Sequence, residues 1–281
     1  MIKAFVQLLK FRLSFLVAFS SAIGYGLGTS HPTVLNVALV MLAGLLVTGA
    51  ANTVNQMIER DRDALMNRTA TRPLPENRIS LRAAGIFAGV LLVVGLAILA
   101  GHFNLVAAAL ALASFILYAF IYTPLKPITP LCVAVGAIPG GLPPMIGWVA
   151  ATGYIGAEAW VLFGIQFMWQ FPHFWAIAWV LDEDYRRAGF RMLPFDGAKD
   201  MRTAFQIMIY TMVLLPVSML PLQFGMTGKT SALIAVVCGV IFLAQTFYLM
   251  LTCTKKAAMN IMFGSFLYLP IVQIALVFDK I

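Results

Sequence analysis

The feature that most constrains this chain is a succession of nine long apolar runs, at residues 13–28, 34–58, 81–100, 104–122, 131–151, 159–181, 203–222, 231–251 and 261–278. Most approach the ~20 residues that an α-helix needs to cross a bilayer. Hydrocarbon offers no partner to a free backbone N–H or C=O, so only helices and closed barrels span it. The runs lack the alternating polarity of barrel strands. An all-α polytopic membrane protein with nine transmembrane helices is therefore expected. Only 11% of residues are charged and 61% are hydrophobic, whereas a soluble domain has about 25% and 45–50%. Residues 1–281 thus read as a single membrane domain.

A net charge of +8 suggests nucleic acid, but the basic residues stand between apolar runs, where they set orientation instead. With the N-terminus cytoplasmic, all 19 lysines and arginines except Lys229 and Lys280 fall inside, and the C-terminus lies outside. All the acids except Glu158 and Asp279 fall on the same inner face, Asp196 and Asp200 among them. No nucleic-acid partner is expected. Lys3, Lys10 and Arg12 lead into the first run without an Arg/Ser-rich transit peptide, which reads as an uncleaved anchor in a bacterial cytoplasmic (inner) membrane. Cys132, Cys238 and Cys253 form no CxxC pair, so neither a disulfide framework nor a thiolate metal site is expected. The segment GAIPGGLPPMIGW at 136–148 predicts an interrupted helix that faces protein or a wet cavity.

Orientation needs the basic residues and has no use for the acids, yet the acids gather in two long loops, after the second and sixth runs. Long loops in a compact chain are usually functional. In the first, Asn55, Glu59 and Asp63 stand four apart, which on a helix puts an amide and two carboxylates on one face. Such oxygens suit Mg²⁺, which keeps several waters and is commonly shared with substrate phosphates. The alternative is a solvated helix end whose acids pair with Arg60 and Arg62. Arg68 and Arg72 follow, and the planar guanidinium fork matches phosphate oxygens. Arg78 and Arg82 read as contacts to lipid headgroups. Tyr122 and Lys126 lie one helical turn apart, so the ring could face a cation.

The second loop offers Asp182, Glu183 and Asp184, then Tyr185, Arg186 and Arg187. Three consecutive acids cannot all point one way. Upstream, Gln166, Gln170 and His173 share a helix face, and polar residues at that depth are costly unless they face a cavity. His173 is either a substrate contact or a histidine hydrogen-bonded between helices. Trp169, Trp175 and Trp179 read as packing and interface anchors.

Five segments in order, NQMIERDRDALMNRTATRPLP (55–75), YTPLK (122–126), GAIPGGLPPMIGW (136–148), PHFWAIAW (172–179) and DYRRAGFRMLP (184–194), closely resemble the protoheme IX farnesyltransferase family. This is the haem O synthase branch of the intramembrane aromatic prenyltransferases. Asn77 stands where that family commonly has Gly, and Ala188 interrupts the DxxxD of the quinone-type enzymes. The resemblance implies nine helices ringed around a central cavity open near the cytoplasmic face. It implies farnesyl transfer from farnesyl diphosphate to a vinyl group of haem b, with water adding, to give haem O. Mg²⁺ would be the cofactor, held by Asn55, Glu59, Asp63 and Asp184; haem b is a substrate. Arg68, Arg72 and Lys126 would hold the diphosphate, Tyr122 would sit near the allylic cation, and His173 and Tyr185 would contact substrate. Membrane lipid and other haem-biosynthesis or terminal-oxidase assembly proteins are the remaining implied partners. Rival readings are a quinone-precursor acceptor and a transporter, although a transporter has no need for carboxylates and arginines gathered at one membrane face.

Overall fold

A computed structural model describes residues 2–281 apart from the side chain of Asp196, whose place among the inner-face acids lies outside the described part. The helices are α1 (Ile2–Leu8), α2 (Phe11–Gly28), α3 (Val34–Ile58), α4 (Arg60–Asp63), α5 (Leu81–Ile98), α6 (Leu105–Ile116), α7 (Thr123–Leu125), α8 (Cys132–Thr152), α9 (Ala157–Val180), α10 (Asp182–Arg187), α11 (Met201–Gln223), α12 (Lys229–Thr252) and α13 (Lys255–Phe278). Two π-helical segments, Leu99–Phe103 and Leu117–Tyr122, continue α5 and α6. No β-strand is formed among the described residues.

Several helix starts are set by side-chain caps: Thr33, Ser80, Asn104, Asp200 and Thr254 each accept from a backbone N–H three residues on. The Thr254 cap explains why α13 begins six residues ahead of its apolar run. Eight helices are long and apolar enough to cross a membrane. The run at 159–181 does form a 24-residue helix, α9, but Gln166, Gln170 and His173 lower its hydropathy and it falls outside those eight.

The segment at 136–148 is not interrupted. It lies within a continuous α8 that carries Pro139, Pro143 and Pro144 in its interior. Each proline leaves the carbonyl four residues earlier without its helical N–H. Pro143 frees the carbonyl of Pro139, which accepts from Ser114 Oγ at 3.1 Å. Pro144 frees that of Gly140, which accepts from Gln166 Nε2 at 2.8 Å. Neighbouring helices therefore replace the missing donors, as a proline helix in lipid requires. The expectation that this segment faces protein holds: α8 is 72% buried, more than any other candidate span. Gly147 of α8 lies so close to the Ser21 carbonyl of α2 that a Cβ there would collide with it.

Helices that follow one another in the chain pack side by side, α8 packs on α2, α6 and α9, and α13 packs on α9 and returns to α2. That seam is closed where Gln273 donates to Ser20 Oγ and Lys280 donates to the Gly26 and Thr29 carbonyls. Between the helices lies a mainly apolar, partly open cavity of about 250 Å³, lined from α2, α3, α6, α8, α9, α13 and the two π-helical segments.

Candidate active site

Three connections converge at the end of the bundle where α3 stops. Helix α3 breaks at Glu59 (φ −90°, ψ 4°), but Glu59 N–H still donates to the Asn55 carbonyl and Asp63 N–H to that of Glu59. The four-residue spacing survives the break, and Asn55, Glu59 and Asp63 are all buried while Asp61 is exposed. Their partners differ from the expected ones. Arg60 donates to Asn77 Oδ1 and Arg62 to the Ala188 carbonyl. Asp63 Oδ2 instead pairs with Arg72 at 2.6 Å, and Glu59 Oε1 lies 2.7 Å from Lys126 Nζ. Asn55 is fixed from both sides, accepting from Lys10 Nζ at 3.2 Å and donating to Thr123 Oγ1 at 3.1 Å.

Lys126 Nζ also sits 4.7 Å from the centroid of the Tyr122 ring and 5.6 Å from that of Phe190. Burial pulls the Lys126 ammonium down, but Tyr122 and Glu59 outweigh it and hold its pKa above the ordinary value. The π-helical turn Leu117–Tyr122 ends at Tyr122, and such turns are frequent at functional sites. Lys10 was counted in the sequence only as an orientation charge, and nothing there distinguishes it from Lys3. In the structure it stands in left-handed conformation (φ 47°) between α1 and α2. Burial, then the charges of Arg72 and Lys126, push its pKa down to about 7 against the opposing pull of Glu59 and Asp63.

The second loop folds onto the first. Asp184 accepts from the backbone N–H groups of Asn67 at 3.3 Å and Arg68 at 3.4 Å, and pairs with Arg187 at 3.6 Å. Asp182 faces elsewhere, pairing with Arg186 at 3.0 Å and Lys199 at 3.1 Å, and Glu183 is exposed. Arg191 N–H donates to the Lys126 carbonyl, tying the loop to the end of α7. Tyr185 is half-buried near Phe190 and lines a separate surface pocket with Asp182 and Arg186, not the central cavity. Arg68 is exposed. Arg78 is tied to protein, not left for lipid: it bonds Glu76, Gln7 and the Thr71 carbonyl. Asn77 adopts φ 55°, the left-handed region that Gly enters freely and Asn tolerates, which explains why Asn can stand there.

His173, Gln166 and Gln170 line the cavity, and Tyr122 joins them near its charged end. His173 is a histidine hydrogen-bonded between helices, to Ser265 of α13 at 2.8 Å, as well as a lining residue of the cavity. Trp175 and Trp179 are buried in the packing, while Trp169 stacks on His173 at 4.4 Å.

The acids fit a hard cation in chemistry, though not as a finished cage. Asp63 Oδ1 is buried with no hydrogen-bond partner, and Glu59 Oε1 is buried with Lys126 Nζ beside it at 2.7 Å. Buried carboxylate oxygens left without donors are costly unless something else satisfies them. Among the described residues, no three acids, histidines or cysteines converge closely enough to hold a metal by themselves.

Charged groups packed against one another above an apolar cavity, in a bundle of membrane-length helices, could hold an amphiphile with an anionic head. The particular family follows from comparison. The chain belongs to the UbiA prenyltransferase family, whose model matches residues 16–269. It is 54% identical to a protoheme IX farnesyltransferase of Cytophaga hutchinsonii, over 99% of this chain and 98% of that one. It is 45% identical to a protoheme IX farnesyltransferase of Christiangramia forsetii, over 98% and 93%. Its fold matches a digeranylgeranylglyceryl phosphate synthase structure with a TM-score of 0.82 at 19% identity, over 99% of this chain and 98% of that one. It also matches a UbiA homologue of Archaeoglobus fulgidus bound to DMAPP and Mg²⁺, with a TM-score of 0.68 at 16% identity, over 97% and 99%.

Proposed function

We propose that this prenyltransferase moves the farnesyl group of farnesyl diphosphate to a vinyl group of haem b, with water adding, to make haem O. The observation that carries the reading is the junction of the two acidic loops, with Asp184 on the Asn67–Arg68 backbone beside the buried Glu59 and Asp63. The names of the relatives at 45–54% identity support haem as the acceptor.

Cleaving the allylic C–O bond requires neutralising the diphosphate that departs. Arg68, Arg72 and Lys126 are the groups placed to receive it, with Lys10 beside them. Mg²⁺ held by Asn55, Glu59, Asp63 and Asp184 would add Lewis-acid neutralisation of the same oxygens. Lys126 and Arg72 now neutralise Glu59 and Asp63, so substrate binding re-sorts these pairs. The Tyr122 ring, already under a cation, is suited to stabilise positive charge at the allylic carbon. The apolar cavity takes the isoprenoid chain and keeps bulk water from the cation. His173 would contact the acceptor in the cavity, and Tyr185 whatever part of it extends into the surface pocket.

Residues 1–281 act as one domain with nine spans in a bacterial inner membrane, N-terminus inside, since the charged site lies at the end that holds the basic loops. A reporter fused after Thr227 should read periplasmic and one after Lys256 cytoplasmic; the same side for both would reject that orientation. The function is tested by incubating the purified protein with haem b, farnesyl diphosphate and Mg²⁺ and identifying haem O by mass. A farnesylated quinone precursor in place of haem O would sink the acceptor, and no prenyl transfer at all would sink the reading.

A further inference from the structure

Resting on the haem acceptor proposed above, the reaction needs one group that no residue has yet supplied. The farnesyl C–O bond breaks, its electron pair leaving on the diphosphate. The vinyl π pair then forms the new carbon–carbon bond, which leaves a cation on the other vinyl carbon. A water oxygen captures that cation, and one water proton must go to a base. The departing diphosphate is one acceptor, and inside the mainly apolar cavity any other base has to belong to the wall.

Proton inventory around Ser265 identifies it. Ser265 Oγ has a single proton and lies 2.6 Å from the Met262 carbonyl, which can only accept. Ser265 therefore has no proton for His173 Nδ1, 2.8 Å away, so Nδ1 must be the donor. This settles the tautomer: His173 carries its proton on Nδ1, and Nε2 keeps its lone pair. Among the described residues Nε2 has no hydrogen-bond partner, and the ring lines the cavity. No lysine, aspartate or glutamate lines it, and the lining amide and indole nitrogens carry no basic lone pair, so His173 Nε2 is the one basic nitrogen on the cavity wall. The nearby amides are already engaged: Gln166 bonds Gly140 and Gln273, and Gln170 bonds Ala137. Stacking on Trp169 and edge contacts with Phe174 and Phe266 hold the ring in place. We infer that His173 Nε2 is the base that takes the proton from the water added to the vinyl cation, with Ser265 as the positioning residue that fixes its tautomer.

His173→Asn separates this from a structural role, because the Asn amide can still donate to Ser265 while nothing replaces Nε2. Purified wild type, His173→Asn, His173→Ala and Ser265→Ala are compared with haem b, farnesyl diphosphate and Mg²⁺, recording diphosphate release and product masses. Wild type should give haem O. Both His173 variants should still release diphosphate but form haem O ~100-fold more slowly. Ser265→Ala should show a smaller loss of the same kind. His173→Asn with wild-type haem O formation would overturn the proposal. So would loss of diphosphate release and thermal stability together in both His173 variants, which marks a packing role. A haem absorption spectrum showing axial imidazole in wild type but not in His173→Asn would place Nε2 on the iron and overturn it as well. Wild type that farnesylates another acceptor and never haem b would instead overturn the acceptor reading, and this inference with it.

Discussion

The two acidic loops have similar composition and opposite physics. In the first, Glu59 and Asp63 are 4% and 0% exposed, and their counter-charges come from Lys126, far along the chain, and from Arg72. In the second, the side chains of Asp182 and Asp184 are 12% and 13% exposed, but their partners Arg186 and Arg187, about one turn away, are 62% and 46% exposed. Exposed pairs are worth little, roughly 0–1 kcal/mol. Buried ones bear a desolvation cost that their mutual attraction repays only with very good geometry. A carboxylate kept at such a cost, with an oxygen left unpartnered, points to a ligand. The first loop keeps buried carboxylate oxygens without a hydrogen-bond partner, and the second mostly satisfies itself. Asp184 is the exception, because it reaches across to the backbone of the first.

That difference can be broken by substitution. The largest effect belongs to Asp63→Asn, which keeps the shape, removes the buried charge and leaves Arg72 unpaired. Haem O formation should fall ~100- to 1,000-fold, assayed by product mass, while Asp61→Asn two residues away stays near wild type. Equal rates for the two would erase the distinction between buried and exposed acids. Asp184→Asn should come next. If it shares the ion, the Mg²⁺ concentration for half-maximal rate should rise ~10- to 100-fold, and an unchanged Mg²⁺ requirement would confine the metal to the first loop. The smallest effect is expected for Asp182→Asn, whose partners Arg186 and Lys199 are largely open to solvent. Its turnover should stay within a few-fold of wild type and its stability within about 1 kcal/mol, measured by thermal unfolding in detergent. A collapse there would show that the second loop does more than its local pairing suggests.

Much of this was legible in the chain itself. Apolar runs located the helices because lipid forces backbone hydrogen bonding to be local, and a local rule leaves its trace in local sequence. The four-residue spacing of Asn55, Glu59 and Asp63 put them on one side for the same reason, and they remain there through the break at Glu59. The prolines of α8 misled, because a proline shows that a donor is missing but not who replaces it. Ser114 and Gln166, on other helices, decided that α8 stays helical. Likewise Lys10, indistinguishable in sequence from its basic neighbours, reaches Asn55 only because α1 and α2 meet at a left-handed turn beside α3.

The sequence by itself determined the helical bundle, the gathering of charge at one end and which residues could do chemistry, since each follows from composition and short-range periodicity. Only the tertiary structure decided which charge meets which. It set Arg72 on Asp63, Lys126 on Glu59, Asp184 on the first loop and His173 against Ser265. These depend on contacts between residues tens of positions apart, whose energies reflect burial and direction, and neither is written in the order of the residues.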